Sequence, residues 1–384
     1  MRVRVVIGRL GLAALGAIGL GSVAFAQNVP AQFIVTGKTA EKIQDFSTIN
    51  VATAQRIAES CEKAATAQGV QISIIVLDKD GNHVYFDRMD GQGYLNIITA
   101  EMKARTALIL RAPSKTAMNR AIQDPPVELQ LIQLGEFANS GGLPIVVNNQ
   151  MIGFVGVGGS APKPPVWSDE ICGHKGLEEV FGSVPPLLQD LPPRENPNPA
   201  NAPAPKFATA TAPKTSLPAD FVVGGKGAST VFDGNQISLA AAKKIASVCR
   251  DWAASKGNSA SIYVLDNAGE FVHMERMDGQ VYNNIRTALL KAQTSLKTRA
   301  PTSIVNAQLK NNPAGTARQT TYFNLFTNSG GVPIVVDGQM IGSVGVGGVA
   351  GGGDEPCAVE GLKAAFGDHV TLPVYPPAAG GGRG

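Results

Sequence analysis

One stretch of the sequence occurs twice, and this duplication limits the possible folds more than any other feature. Residues 139–159 read NSGGLPIVVNNQMIGFVGVGG, and residues 328–348 read NSGGVPIVVDGQMIGSVGVGG. The run RMDGQ at 88–92 returns unchanged at 276–280, so the spacing is about 188 residues throughout. A period this long indicates a duplicated domain and not a short-repeat solenoid.

The duplicated stretch has the pattern of a tight β-hairpin. In each copy a short apolar run meets a two-residue break, Asn148-Asn149 or Asp337-Gly338, and a second apolar run with glycines follows. Asp-Gly favours a type I′ turn, in which both central residues need positive φ. Glycines inside the second strand mark places where another backbone or a ligand comes close. The glycine pairs on either side are predicted to be loops with free backbone N–H groups.

The order of elements in each copy predicts an α/β fold. A helix at 51–67, a hairpin at 71–88, a helix at 96–111, an irregular segment at 115–134, the hairpin and a closing helix at 170–181 follow from the apolar periodicity. Tight turns between consecutive strands predict two tandem domains, each a largely antiparallel sheet flanked by helices. We expect the domains to pack as an intrachain pseudo-dimer. The predicted boundaries are a signal peptide at 1–26, domains at 40–184 and 229–372, a Pro/Ala-rich linker at 185–225 and a disordered tail at 373–384.

The first 26 residues have the pattern of an export signal. Three arginines precede the short apolar run Leu10 to Leu20, and Ala24-Phe25-Ala26 fits a small-x-small cleavage site. An uncleaved anchor is the alternative. No later segment has the length and apolarity of a membrane span. The expected location is therefore periplasmic or secreted.

Composition and missing motifs exclude several classes of function. The formal net charge is only +3, charged residues make up 16% and aromatic residues 6%, which does not suggest a nucleic-acid surface. No nucleophile elbow, phosphate-binding loop, zincin motif or Cys-x-x-Cys pair is present.

The repeated motifs resemble those of the haem-binding HbpS/GlcG-like family, also known as DUF336, which includes the C-terminal domain of PduO proteins. The resemblance covers nearly all of both halves. It rests on the Ala-rich first helix, the Val-Leu-Asp-x-x-Gly hairpin, Arg-Met-Asp-Gly, a Lys-Ala helix ending in Arg-x-Pro, and the Gly-Gly-x-Pro-Ile-Val-Val hairpin. It implies profilin-like domains, oligomeric assembly and, for some members, haem binding.

The resemblance implies non-covalent haem in an apolar cleft, since the haem-attachment motif Cys-x-x-Cys-His is absent. The candidate ligands of the iron, treated as the metal site, are His83 and His273. They do not occupy equivalent positions, because His83 aligns with Phe271 and His273 with Tyr85. The candidate cofactor-binding residues are His83, Arg88, Met89, Lys103, His273, Arg276, Met277, Lys291 and Thr302.

Each candidate also has a structural alternative. Arg-Met-Asp-Gly could form a pocket rim, with Arg for a carboxylate and Met against an apolar ring. It could also be a turn in which Asp caps the backbone and pairs with Arg. The histidines could be plain surface or hydrogen-bonded residues, and His174 and His369 have weaker contexts. Lys103 and Lys291 could meet propionates or could lie on a solvated helix face. The alternative for Thr302 is that its hydroxyl caps a helix or stabilises a turn.

The four cysteines divide two per repeat at matching positions. Cys61 and Cys249 lie on the apolar side of the first helix, and Cys172 and Cys357 open the closing helix. If these helices share one face of the sheet, disulfides Cys61–Cys172 and Cys249–Cys357 are expected in an exported protein. Buried free thiols are the alternative, and metal binding by such dispersed cysteines is a weaker one.

The sequence therefore predicts an exported haem-binding protein that stores, carries or senses haem. Two alternatives stay open: an enzyme or binding protein for another small acidic metabolite, and a structural oligomer without a ligand. The oligomer could extend beyond the intrachain pseudo-dimer. The sequence alone does not decide whether the protein is an enzyme.

Overall fold

A computed structural model describes residues 30–36, 47–161, 163, 166–192, 215–224, 227, 234–311 and 320–374. The predicted signal peptide lies outside the described residues, as do most of the predicted linker and tail. No helix in the described ranges combines the length and apolarity that a membrane crossing needs.

The first repeat contains five helices and four strands within the described residues. The helices are α1 (Val51–Ala67), α2 (Tyr94–Leu110), α3 (Lys115–Gln123), α4 (Pro125–Gln133) and α5 (Asp169–Phe181). The strands are β1 (Ser73–Asp78), β2 (His83–Arg88), β3 (Gly142–Val147) and β4 (Gln150–Gly158). The irregular segment predicted at 115–134 thus consists of two short helices, separated where Pro125 begins α4.

The second repeat has the same order of elements. Its principal helices are α6 (Leu239–Ser255), α7 (Tyr282–Thr298), α8 (Thr302–Asn311) and α9 (Asp354–Phe366). Its strands are β5 (Ser261–Asp266), β6 (Phe271–Arg276), β7 (Gly331–Val336) and β8 (Gln339–Gly347).

All eight strands form one antiparallel sheet in the order β3-β4-β1-β2-β6-β5-β8-β7. The repeats join where β2 pairs with β6, and we call this junction the seam. Phe86 lies opposite Met274 there, and Asp87 lies opposite His273. The predicted antiparallel sheet and intrachain pseudo-dimer are both confirmed.

Helices cover both faces of this sheet. Residues of α1 and α5 form a core with one face in the first repeat, and α6 and α9 do the same in the second. Helices α2 and α7 cover the opposite face, where a single apolar cluster runs across the seam. Phe86, Tyr263 and Met274 lie in this shared cluster and are almost completely buried. The apolar core is therefore continuous between the two repeats.

Glycines in the duplicated hairpin allow α2 and α7 to lie directly on the sheet. A Cβ at Gly156 would meet the carbonyl oxygen of Ala100, and a Cβ at Gly345 would meet that of Ala288. The close approach predicted for these glycines is thus an approach of helix backbone. The two-residue turns also match the prediction, since Asn148, Asn149, Asp337 and Gly338 all have positive φ.

Each repeat contains its own disulfide. Helices α1 and α5 share a sheet face, and Cys61 is bonded to Cys172. Cys249 is bonded to Cys357 in the same position of the second repeat. These are the two pairs expected from the sequence, and no free cysteine occurs among the described residues.

We expect each disulfide to contribute substantially to stability. Cys61 and Cys172 are 111 residues apart, and a bond closing so long a loop restricts the unfolded chain. Replacing both cysteines by alanine should lower the free energy of unfolding by roughly 2–5 kcal/mol, measured by denaturant titration. The same replacement of Cys249 and Cys357, separated by 108 residues, is the matched control and should cost a similar amount. Four free thiols in unaltered protein, counted under denaturing and non-reducing conditions, would contradict this prediction.

Candidate functional site

The Arg-Met-Asp-Gly runs lie at the seam and connect the two repeats. Arg88 Nη2 donates to Asp266 Oδ2 at 2.8 Å, and Arg276 Nη1 donates to Asp78 Oδ2 at 2.9 Å. Each arginine of one repeat therefore pairs with the hairpin aspartate of the other. Both ion pairs are buried, so removing one partner would leave an uncompensated charge in the interior.

The aspartates of the same runs cap helices of the opposite repeat. Asp90 Oδ1 accepts from the backbone N–H of Leu239 at 2.8 Å, at the start of α6. Asp278 Oδ1 accepts from the backbone N–H of Val51 at 3.0 Å, at the start of α1. A carboxylate at a helix N-terminus accepts from an N–H that has no partner within the helix, and it interacts favourably with the positive end of the helix dipole. The capping alternative is thus correct for Asp, but both the cap and the arginine pairing act between the repeats.

The methionines of these runs lie beside the ends of the first strands. Met89 Sδ accepts from the N–H of Ile72 at 3.4 Å, and Met277 Sδ accepts from that of Ala260 at 3.1 Å. Both are partly buried against the cores of α1 and α6. Met89 also lines a cleft of about 550 Å³ between α1 and α6, together with Glu62 and Lys243.

A group of buried and partly buried charged side chains crosses the seam beneath that cleft. We call it the seam charge cluster, and its members are Glu62 and Asp87 of the first repeat and Lys243, Arg250, His273 and Glu275 of the second. Lys243 Nζ lies 3.0 Å from Glu62 Oε2 and 2.8 Å from Asp87 Oδ2. His273 Nδ1 lies 2.6 Å from Asp87 Oδ1, and Arg250 Nη1 lies 3.1 Å from Glu275 Oε1.

Burial and neighbouring charges shift the protonation of this cluster. Burial, with the charge of Asp87, raises the pKa of Glu62 to about 9. Burial opposes ionisation of Asp87 as well, but its contacts with His273 and Lys243 lower its pKa overall. Burial also opposes the charged form of His273, yet the hydrogen bond to Asp87 raises its pKa above the ordinary value. Of the two carboxyl groups of Glu62 and Asp87, that of Asp87 is thus the ionised one, and it lies between the cations Lys243 and His273.

The predicted ligand His273 is therefore part of the interior. Its side chain is 1% exposed, and one ring nitrogen is in contact with Asp87. His273 joins the repeats through Asp87, and its repeat counterpart Tyr85 packs against it edge-on.

Lys103 and Lys291 occupy equivalent buried positions. Lys103 Nζ lies 2.5 Å from Asp169 Oδ2 and donates to the carbonyl of Val157 at 3.2 Å. Lys291 Nζ makes the same contacts, 2.6 Å from Asp354 and 2.9 Å from the Val346 carbonyl. The solvated-face alternative for these lysines is wrong, because the sheet and the closing helix enclose their ammonium groups.

Thr302 and its counterpart Ser114 hold the loop before the hairpin. The Thr302 hydroxyl donates to the Asn328 carbonyl at 2.7 Å and accepts from the N–H of Gly331 at 3.0 Å. Ser114 makes the same two bonds, with Asn139 and Gly142. The expectation of free N–H groups is wrong at these two glycines, since a hydroxyl from the neighbouring helix start binds each.

His83 lies on the opposite face of the sheet, beside α2. Its Nδ1 is 3.0 Å from the Tyr263 hydroxyl, and its Nε2 is 3.1 Å from Glu101 Oε1. Burial opposes ionisation of Glu101, but hydrogen bonds from His83 and Arg105 lower its pKa to about 2. The two predicted iron ligands are thus separated by the sheet, as their unequal alignment indicates.

A second cleft, of about 300 Å³, lies directly over this group. Its walls are Ile97, Ile98, Glu101, Met102, Arg105, Glu270 and Phe271. Phe271 packs edge-on against the His83 ring at a centroid distance of 6.3 Å. The cleft therefore combines apolar walls with the Arg105 guanidinium and the Glu101 carboxylate, and His83 lies behind that carboxylate.

An exposed apolar stripe runs along α2 of the first repeat, and most of the equivalent positions on α7 are polar or charged. On α2 the side chains of Leu95, Ile98, Met102 and Ile109 are exposed. The positions 188 residues later on α7 are Asn283, Arg286, Leu290 and Lys297. Exposed apolar side chains in a stripe mark contact surfaces, and here they form the α2 side of the cleft, while Glu270 and Phe271 of the second repeat form the other side.

The remaining histidines lie away from both clefts. His174 Nε2 is 2.9 Å from the Pro185 carbonyl, and His369 pairs with Asp337. Among the described residues no three His, Cys, Asp or Glu side chains are grouped as a metal site. Ligation of iron by His83 or His273 stays a prediction.

Glu101 and most of the seam charge cluster were missed from sequence. The cluster could have been recognised by comparing the repeats, since Glu62 aligns with Arg250 and Gln55 aligns with Lys243. A change of charge at apolar-flanked positions of a duplicated helix indicates a contact that differs between the copies.

Comparison with known proteins identifies the family. The sequence model described as "Haem degrading protein HbpS-like" matches residues 49–178 and 237–363. The chain belongs to the HbpS-like family. Both matched regions lie inside the two predicted domains, so each repeat is one HbpS-like unit.

Several individual proteins are similar to this HbpS-like chain. An uncharacterized 15.0 kDa protein from the dhaT-dhaS intergenic region of Citrobacter freundii is 33% identical over 122 residues, which span 31% of this chain and 84% of that protein. The crystal structure of Klebsiella pneumoniae ORFY, of the DUF336 family, is 30% identical, with a TM-score of 0.32 and coverage of 39% of this chain and 99% of that one. HbpS is 27% identical, with a TM-score of 0.32 and coverage of 39% and 100%. The PduOC complex with haem is 19% identical, with a TM-score of 0.33 and coverage of 35% and 97%.

The seam charge cluster predicts that stability falls as pH rises. Glu62, with its raised pKa, keeps a proton that the unfolded chain loses above about pH 4.5. His273 likewise holds its proton more tightly when folded, so its stabilisation is full below the unfolded pKa and is lost through the raised one. Between about pH 5 and 9 the folded state binds more protons, and each extra proton lowers the free energy of unfolding by about 1.4 kcal/mol per pH unit.

Denaturant titrations across this pH range check the prediction. Glu62→Gln should flatten the slope, and Glu59→Gln, at an exposed position of the same helix, should leave it as in the unaltered protein. Stability that rises with pH in this window, or a slope that Glu62→Gln does not change, would contradict the assignment.

Proposed function

We propose that this protein is an exported haem-binding protein that holds haem non-covalently in the second cleft, the one beside helix α2 of the first repeat. Membership of the HbpS-like family supports haem as the ligand class. The signal pattern of residues 1–26 supports periplasmic or secreted location. Storage, carriage or sensing of haem fits both observations.

The observation that carries this proposal is the apolar wall of the cleft. Ile98 is 53% exposed and Met102 is 38% exposed, which is unfavourable in water unless a partner covers them. A flat apolar ring laid against these side chains and Phe271 would bury that surface. A volume of about 300 Å³ is at the small end for ligand pockets, so haem would be held along one side and remain partly exposed.

Two polar groups fit the rest of the ligand. The Arg105 side chain is 44% exposed, and its Nη2 already donates to the carboxylate of Glu101 at 2.6 Å. A haem propionate is also a carboxylate and could accept from the same guanidinium. His83 lies behind Glu101 with both ring nitrogens hydrogen-bonded. It would reach iron only if one of these bonds is given up, and Glu101 or Tyr263 would then orient the ring.

The second repeat is expected to bind haem poorly or not at all. Arg286 stands in the position of Ile98, and Glu101 is replaced by Leu289. The second repeat therefore lacks part of the apolar wall and the carboxylate that holds His83. We therefore expect one haem per chain.

Hemin titration followed by absorption spectroscopy tests the proposal. Unaltered protein should give a shifted Soret band that saturates at one hemin per chain. Ile98→Arg, which installs the residue of the second repeat, should weaken binding tenfold or more by removing apolar wall and adding a charge. Arg286→Ile on α7 is the matched control and should leave the first site unchanged.

The axial ligand is tested separately. His83→Ala should alter the position of the Soret band, whereas His369→Ala, at an exposed histidine distant from the cleft, should not. An unchanged spectrum in His83→Ala would place ligation on another group. Absence of any hemin binding would instead favour a small acidic metabolite as the ligand, with Arg105 as its anchor.

A further inference from the structure

We infer that the charged side chains at the seam make the two repeats specific for each other, so that neither repeat pairs with a second copy of itself. The inference concerns the surface that joins the repeats and does not depend on the ligand.

The seam contains contacts of two kinds. The first kind is symmetric, because each repeat supplies the same residues: Arg88 and Arg276 bind the opposite hairpin aspartates, and Asp90 and Asp278 cap the opposite helices. A seam built only from these contacts would fit two identical repeats equally well, as in an isologous dimer. These contacts hold the repeats together without selecting the partner.

The seam charge cluster is the second kind, and it is not symmetric. The first repeat supplies Gln55, Glu62, Tyr85 and Asp87 at the four positions where the second supplies Lys243, Arg250, His273 and Glu275. Asp87 is completely buried, and the cations that compensate it, Lys243 and His273, both come from the second repeat. Carboxylates of one repeat thus face cations of the other.

Pairing of two first repeats would leave buried carboxylates without cations. At the positions of Lys243 and His273 it would place Gln55 and Tyr85, so two copies of the ionised Asp87 would lie buried at the seam without the cations that now compensate them. A buried charge that loses its partner costs several kcal/mol. The first repeat is therefore expected to reject itself.

Pairing of two second repeats would create the opposite excess. Two copies each of Lys243, Arg250 and His273 would share only two carboxylates, both from Glu275. Like charges brought together at an interface disfavour the wrong partner by several kcal/mol. Only the pairing of first with second repeat balances the charge.

The pKa shifts agree with this arrangement. Asp87 next to Lys243 and His273 has a lowered pKa, while the pKa values of its two cationic partners are raised. Each partner across the seam thus stabilises the charged form of the other.

Cutting the chain between the repeats tests the inference, first on the unaltered protein and then on variants with exchanged seam residues. A protease site is inserted between residues 193 and 214 of the full chain, and the folded protein is cut there. Both disulfides lie within a single half, so no covalent bond joins the halves after cutting, and native mass spectrometry measures how tightly they associate. We expect the cut, unaltered protein to stay a one-to-one pair of different halves, and a mixture with mass-labelled halves to contain no pair of like halves.

Two converted chains change one side of the seam at a time. The first carries Gln55→Lys, Glu62→Arg, Tyr85→His and Asp87→Glu, which gives both repeats the seam of the second. The other carries Lys243→Gln, Arg250→Glu, His273→Tyr and Glu275→Asp, which gives both repeats the seam of the first. After cutting, the halves of each converted chain should associate at least a hundredfold more weakly than those of the unaltered chain.

The chain with all eight substitutions is the decisive control for folding. It exchanges the two sets of residues and restores complementary charge, so its halves should associate again to within about tenfold of the unaltered protein. Converted halves that pair as tightly as the unaltered ones would overturn the inference. The inference would also be overturned if the halves of the chain with eight substitutions separated as readily as those of the two converted chains. Pairing of like halves in the labelled mixture would overturn it as well.

Discussion

Backbone pairing between β2 and β6 is the interaction on which the rest of the structure depends. It turns two four-stranded sheets into one and places the apolar cluster of α2 and α7 across a shared centre. The unpaired N–H and C=O groups of an exposed edge strand invite pairing with other chains, and this junction removes one such edge from each repeat. The reciprocal ion pairs of Arg88 and Arg276 and the caps from Asp90 and Asp278 then fix the angle and register at which the repeats meet.

Features that depend on local pattern could be predicted from the sequence. The hairpins, the helices and the antiparallel sheet follow from periodicity and turn residues, and a repeat of about 188 residues indicates the pairing of two equal units. The cysteine pairs could be expected because the first and last helices of each unit lie on the same face. These features require no knowledge of what lies across the seam.

Features that depend on the partner across an interface could not be predicted in the same way. Arg88 and Asp90 are only two residues apart in sequence, which suggested a local pair, yet their partners are Asp266 and Leu239 of the other repeat. For Lys103 on the second helix the sequence left a solvated face open, but the closing helix brings Asp169 over it. Glu101 gains its role only because β2 places His83 beside it. In each case the deciding contact joins residues that are distant in sequence.

The order of the strands also has a consequence for the ends of the sheet. Joining the repeats at the centre leaves β3 and β7 as the outermost strands, and each carries a proline at the same place, Pro144 and Pro333. Proline lacks the N–H that a neighbouring strand would bind, and it is tolerated on edge strands for that reason. The duplicated hairpin therefore supplies the sheet with two blunted ends. Growth by addition of further strands is disfavoured at both ends of the eight-stranded sheet that the described residues form.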